Sequence, residues 1–130
     1  MTVIVLQKWD LIKVYRADLS RPHDKFCLCI CPIRLWFFYI NSDPPTFRKR
    51  RQFAIDIANH ELVCLTKPVS YLDTTSVIDD LPKDGLTAAL IINNGRHFGP
   101  ISPFLRTKVI ATSQAHGALS PEQLDAVLSN

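Results

Sequence analysis

The sequence predicts an α+β fold with its strands first and its helices last, and three observations carry that prediction. The first third is rich in β-branched and aromatic residues, in short runs broken by polar turns. The stretch KFCLCICP is apolar on both parities over residues 26–31, as expected of a strand with both faces covered. The last quarter holds two Ser-Pro pairs, Ser102-Pro103 and Ser120-Pro121, each joining an N-cap hydroxyl to a proline suited to the first helical position. Strands grouped ahead of helices define the α+β class rather than alternating α/β. At 130 residues the chain suits one domain, strand-rich over roughly 1–95 and helical over roughly 100–130.

Taken in order, residues 3–6 and 11–14 are β-branched and apolar and read as one bent strand or two. A polar turn region follows at ADLSRPHD, before the apolar strand 26–31. Pro32 ends that strand, and 35–40 resumes it with Trp36, Phe37, Phe38 and Tyr39. The run Asn41-Ser42-Asp43-Pro44-Pro45 is a strong break. Residues 52–57 alternate Phe53, Ile55 and Ile57 against Gln52, Ala54 and Asp56, the pattern of a strand with one wet face. Asn59-His60 reads as a tight turn, with a returning strand at 62–65. Residues 71–78 are strand-like, 79–86 a charged loop, and 86–92 a short strand or helix. Helices are expected over 104–115, stopped by Gly117, and over 122–128, where Gln123 completes a capping box with Ser120.

Hydrophobic residues make up 47%, which rules out a disordered tail as the main reading. The opening MTVIVLQKWD is too short in apolar length for a signal segment or membrane span, so the expectation is a cytoplasmic protein with no membrane partner. In that compartment the cysteines stay reduced. Cys27, Cys29 and Cys31 alternate, so a strand would place neighbours about 6.5–7 Å apart on one face. Tetrahedral zinc needs sulfurs about 3.8 Å apart, so the three thiols are expected to fill core, with no metal bound. The P-loop, the dinucleotide fingerprint, the nucleophile elbow and HExxH are all missing from the sequence.

What remains is polar. Net charge is +3, and Arg48-Lys49-Arg50-Arg51 concentrates four cations in a row beside Phe47, the pattern of an RNA-binding segment. Arg21, His23 and Lys25 precede the apolar strand, and Ser42 follows the next one. If the two strands form a hairpin about Pro32, Lys25 and Ser42 face each other at one end. A cation beside a hydroxyl there can hold a phosphodiester and offset charge on its transition state. His23 is the candidate for proton transfer. Tyr71, Asp73, Thr74 and Thr75 form a second polar cluster.

The order of these parts resembles the PemK/MazF-like toxins of toxin–antitoxin systems. The parts are LIKVYRADLSRPHDK, FCLCICP, LWFFYINSDPP, HELVCLTKPVSYLDTTSVI and the closing SPEQLDAVLSN. The resemblance implies an SH3-like β-barrel with C-terminal helices that works as a homodimer. It implies a metal-independent endoribonuclease that cleaves single-stranded RNA, needs no cofactor and is neutralised by an antitoxin protein. By position, Arg21 or Lys25 takes the basic role and Ser42 the hydroxyl role. The alternative is a non-catalytic module of the same shape that binds RNA or a protein partner.

Overall fold

The computed structural model describes residues 2–62 and 64–129, and the Lys49 side chain is outside the described groups. The chain runs β1 (Asp10–Arg16), β2 (His23–Cys31), β3 (Trp36–Asn41), α1 (Arg48–Phe53), β4 (Ile55–Ala58), β5 (Val69–Ile78), α2 (Lys83–Ala89), β6 (His97–Pro100), α3 (Pro103–His116) and α4 (Pro121–Leu128). The strands form one sheet in the order β4-β5-β3-β2-β1-β6, with every neighbouring pair antiparallel. β4 and β6 remain edges, so the sheet is an open, curled half-barrel. The α+β class and the closing helices are as the sequence predicts.

The β2–β3 hairpin sets the geometry. Pro32 denies the strand a backbone donor and begins a turn through Leu35, whose φ of 56° lies in the left-handed region. That is why β3 begins at Trp36 rather than at the expected residue 35. Pairing then runs Cys29↔Phe37, Leu28↔Phe38, Cys27↔Tyr39 and Phe26↔Ile40.

Strand alternation sends Phe37 and Phe38 to opposite faces, and both are fully buried. Phe38 joins Leu11, Leu28, Ile40, Ile57 and Leu72 beneath Leu105 and Val109 of α3 and Val127 of α4. Phe37 joins Ile12, Val14, Cys27 and Cys29 beneath Leu86 and Ala89 of α2. The sheet is therefore covered on both sides within one chain. Gly85 lets α2 settle on β1, since a Cβ there would lie 2.6 Å from the Tyr15 carbonyl oxygen.

Both late helices carry the expected caps. Ser102 Oγ accepts from the Leu105 amide, and α3 ends at Gly117 with φ 64°. Ser120 Oγ accepts from the Gln123 amide while Gln123 Oε1 accepts from the Ser120 amide, closing the capping box.

Several expectations need correcting. Gln52 and Phe53 belong to α1, so the strand expected over 52–57 is only Ile55–Ala58; two residues of alternation cannot distinguish a strand from a last helical turn. The return strand expected over 62–65 is a turn, in which the Leu65 amide donates to Leu62 and Leu65 buries itself in the main core; Val63 lies outside the described residues. The partner of β4 starts at Val69 instead. Residues 3–6 make one isolated bridge, Val3 to Ile91, because their partner there is the segment after α2 rather than a sheet strand. β6 was not anticipated: HFGP has a glycine and a proline, and only its place beside β1 makes it a strand.

Candidate functional site

Alternation along β1 places Ile12, Val14 and Arg16 on one face, in register with Cys27, Lys25 and His23 of β2. Continuing the β2–β3 register sets Lys25 beside Asn41, and Asn41 pairs in turn with Tyr71 of β5. α2 covers the apolar half of this face. Beyond it the same rows turn polar, with Arg16, His23, Lys25, Tyr39, Asn41 and Tyr71 at one end of the sheet.

Arg16 is the fixed point of that end. It is 4% exposed, and its five N–H donors all have acceptors. Nε donates to Asp18 Oδ1 at 3.1 Å and Nη2 to Asp18 Oδ2 at 2.5 Å. Nη1 donates to Tyr39 Oη at 2.6 Å and Asp80 Oδ1 at 3.0 Å, and Nη2 also reaches the Asp80 carbonyl at 3.1 Å. The hydrogen bonds to Asp18 and then Asp80 hold the guanidinium charged well beyond its ordinary range. One side chain thus ties β1, the β1–β2 turn, β3 and the loop before α2. It has no donor left for a ligand.

Lys25 lies next to it and is held differently. Its Nζ donates to Asn41 Oδ1 at 2.7 Å and sits 4.5 Å from the Tyr39 ring centroid. Burial pushes its pKa down, and the charge on Arg16 adds to that. Asn41 and Tyr39 leave its ammonium a third donor direction. Directly below, the buried Cys27 and Cys29 thiols are pushed up to about 12 by burial. They are neutral core filler, packed on Phe37 and Ile12. Cys31 lies past a register shift at the far end of the strand and is only half-buried.

The other sequence candidates stand on the same strand as Lys25 or in the adjoining turns. His23 is exposed, shares the face of Lys25, and donates from Nδ1 to the Arg21 carbonyl at 2.5 Å. A proton on Nδ1 leaves Nε2 as the basic nitrogen of the neutral ring. Arg21 is exposed in the turn before β2. Ser42 is exposed in the bend directly after Asn41, and among the described residues no hydrogen bond joins it to Lys25. The amide oxygen of Asn41 occupies the place opposite Lys25 that the hydroxyl was expected to take. Antiparallel pairing matches 25 with 41, and 42 falls one residue out of phase.

The cationic run forms the short helix α1. Arg48, Arg50 and Arg51 are exposed, and among the described residues none of the three has an ion pair. Arg50 Nη2 donates to Ser76 Oγ at 3.3 Å. Arg51 borders a cavity of about 190 Å³ with Pro44, Pro45, Asp56 and Tyr71, which joins α1 to the loop after Asn41. The Lys49 side chain, also a sequence candidate, lies outside the described residues.

The second polar cluster splits in two. Asp73 Oδ1 accepts from the Thr75 amide at 2.8 Å and the Thr75 hydroxyl at 2.6 Å. Thr74 points to the opposite face, where its hydroxyl lies 3.0 Å from His116 Nε2. Sequence reasoning missed Arg16 and His116 as members of polar networks. Arg16 had a signal, since it continues the alternation Ile12, Val14 onto the buried face. His116 had none, because Thr74 is 42 residues away.

A larger cavity, about 360 Å³, lies at the opposite end of the hairpin among Lys8, Cys31, Arg34 and α4. There Lys8 Nζ donates to the carbonyls of Ala126 at 2.6 Å, Val127 at 2.9 Å and Ser129. The lysine satisfies the last carbonyls of α4, a structural role. Among the described residues no group of three or more His, Cys, Asp or Glu side chains is arranged to hold a metal ion, and no helix is long and apolar enough to cross a membrane. No family model, characterised protein or solved structure matches the chain.

Proposed function

We propose that this chain is a toxin-type endoribonuclease of PemK/MazF-like character, an SH3-like half-barrel that cleaves single-stranded RNA without a metal. The observation that carries the reading is the placement of Lys25, Asn41 and His23 on one face at the open end of the β2–β3 hairpin. Arg21 and Ser42 stand in the adjoining turns.

The chemistry follows from these positions. A phosphodiester lying across the strand ends meets the Lys25 ammonium and the Arg21 guanidinium. The 2′-hydroxyl attacks the adjacent phosphorus and passes its proton to His23 Nε2. The P–O5′ bond breaks, and the departing oxygen takes a proton from water, leaving a 2′,3′-cyclic phosphate and a 5′-hydroxyl. Lys25 and Arg21 offset the extra negative charge as the pentavalent phosphorus forms. Ser42 and Asn41 position the phosphate and the lysine. Arg16 acts through Tyr39, whose ring carries the lysine, and is a positioning residue. The cations of α1 bind the neighbouring phosphates. In this reading the protein acts in the cytoplasm as a homodimer restrained by an antitoxin.

The test is incubation of a long mixed-sequence RNA with the purified protein in excess chelator. Cleavage ending in cyclic phosphates is expected, with a loss of about 10²–10³-fold in Lys25→Met and clear losses in His23→Ala and Ser42→Ala. Intact RNA at high protein concentration ends the catalytic reading.

A second reading has its own observation. Asn41 and Tyr39 already engage the Lys25 ammonium, which suits a non-catalytic module that binds RNA, or a protein partner, through the same edge. That module would bind RNA with a steep salt dependence and produce no cyclic phosphate.

A further inference from the structure

A third cavity, about 310 Å³, lies between α1, β5 and the C-terminal end of α3. Phe47, Arg50, Phe53, Thr75, His116 and Ala118 line it. We infer that it captures one unstacked nucleobase of single-stranded RNA, selecting bases that carry an exocyclic amine, with the attached phosphate on Arg50. The inference rests on the RNA-cleaving reading above and adds a specificity pocket to it.

Its walls are aromatic. Phe47 is 72% exposed at the rim, so its ring face is open to a ligand entering the cavity. Inside, Phe53 meets the His116 ring edge-on, with centroids 5.5 Å apart and planes at 70°. Stacking on aromatic side chains is the common means of holding an unpaired base, and a cavity near 300 Å³ is at the small end for a ligand site. Arg50 supplies the charge: it is exposed, hydrogen-bonded to the neutral Ser76, and paired with no carboxylate among the described residues. Arg48 and Arg51 extend the positive potential along the same helix.

The polar groups of the wall set the preference. His116 Nδ1 accepts from the Ala118 amide at 3.0 Å, which puts the proton of the neutral ring on Nε2, donating to Thr74 at 3.0 Å. Both nitrogens are engaged, so the ring serves as a surface. Thr75 has committed its hydroxyl proton to Asp73 at 2.6 Å. Its oxygen can then only accept. A base with an exocyclic amino donor, adenine, cytosine or guanine, satisfies that oxygen; uracil, whose imide N–H is flanked by two carbonyl oxygens, fits it less well.

The experiment is an amide NMR titration of the ¹⁵N-labelled full chain with 5′-AMP, 5′-UMP and ribose 5-phosphate, run beside the metal-free RNA cleavage assay. AMP is expected to shift the amides of Phe47, Thr75 and Ala118, to bind at least threefold tighter than UMP, and to leave the Lys25 region unmoved. Phe47→Ala should weaken AMP binding about five- to tenfold, and Arg50→Gln should weaken AMP and UMP alike. Shifts of equal size with ribose 5-phosphate, shifts confined to other surfaces, or an unaffected Phe47→Ala variant would each overturn the pocket. AMP binding by a protein that leaves RNA intact would support the pocket and refute the ribonuclease. RNA cleavage without any AMP response would do the reverse.

Discussion

Two cationic regions of the molecule are built in opposite ways. Arg16 is buried, with two carboxylates, a phenol and a carbonyl around it. Arg48, Arg50 and Arg51 on α1 are exposed and without ion pairs among the described residues. The first region holds the sheet's polar end in shape, and the second leaves its charge at the surface. Lys25 stands between them, half-buried, hydrogen-bonded to a neutral amide and with charge to offer. Counting cations in the sequence would rank the α1 run and Arg16 alike. Their partners show that the Arg16 charge is spent inside the chain, while the arginines of α1 keep theirs unpaired among the described residues.

The strongest way to break this comparison is to remove Arg16. Arg16→Met should lower unfolding stability by about 2–3 kcal/mol, measured by urea denaturation. Its partners Asp18 and Asp80 are largely exposed and can turn to water, so the loss stays below that of a fully enclosed ion pair. A stability change inside about 0.5 kcal/mol would make Arg16 an ordinary surface residue.

The mirror experiment exchanges Arg48, Arg50 and Arg51 for alanine together. Stability should move by no more than about 0.5 kcal/mol. RNA affinity should fall by about tenfold or more near physiological salt, and the slope of log K against log salt should flatten by about 2. An unchanged slope would mean that α1 does not meet phosphate.

A smaller effect sharpens the view of what lies under Lys25. Cys27 and Cys29 ionise at about 12 in the folded protein against 9.0 for an ordinary thiol. Between those values the unfolded chain has released protons that the folded chain still holds, so stability is complete below pH 9 and declines as pH rises toward 12. Tyr39, raised by burial, acts in the same direction; Lys25, lowered by burial, acts in the opposite one. The expected decline is at most about 1.4 kcal/mol per pH unit for each thiol, read from urea midpoints between pH 8 and 11. Replacing Cys27 and Cys29 with valine should flatten it. At pH 8, iodoacetamide should label Cys31 before either buried thiol.

The smallest effect is expected at Ser42. Ser42→Ala should leave the unfolding midpoint unchanged, since the residue is exposed and, among the described residues, outside the side-chain hydrogen bonds of the sheet end. Any effect of that substitution on RNA cleavage is then chemical rather than structural. A marked loss of stability would show that the bend after Asn41 depends on the hydroxyl.

Much of this architecture was legible because its signals are local. Ser102-Pro103 and Ser120-Pro121 mark helix starts through groups within three residues of each other. The two-sided apolar run of β2, the break at Pro32 and the turn after Asn41 place the hairpin, and with it the end of the sheet where Lys25 lies. The segments that misled are those whose state depends on distant partners. The stretch 62–65 reads as a strand, yet Leu62, Cys64 and Leu65 pack into the core rather than along an edge. β6 lacks strand character and becomes one beside β1.

By itself the sequence determined the class of the fold, the hairpin and the caps, since each depends on periodicity or on contacts a few residues long. Only the tertiary structure decided which cations are spent and which are available, because Arg16 finds Tyr39 23 residues on and Asp80 64 residues on. It also decided that Asn41 rather than Ser42 meets Lys25, a question of register that composition cannot answer. A charge is free or bound according to the acceptors that folding brings to it, and that pairing is long-range.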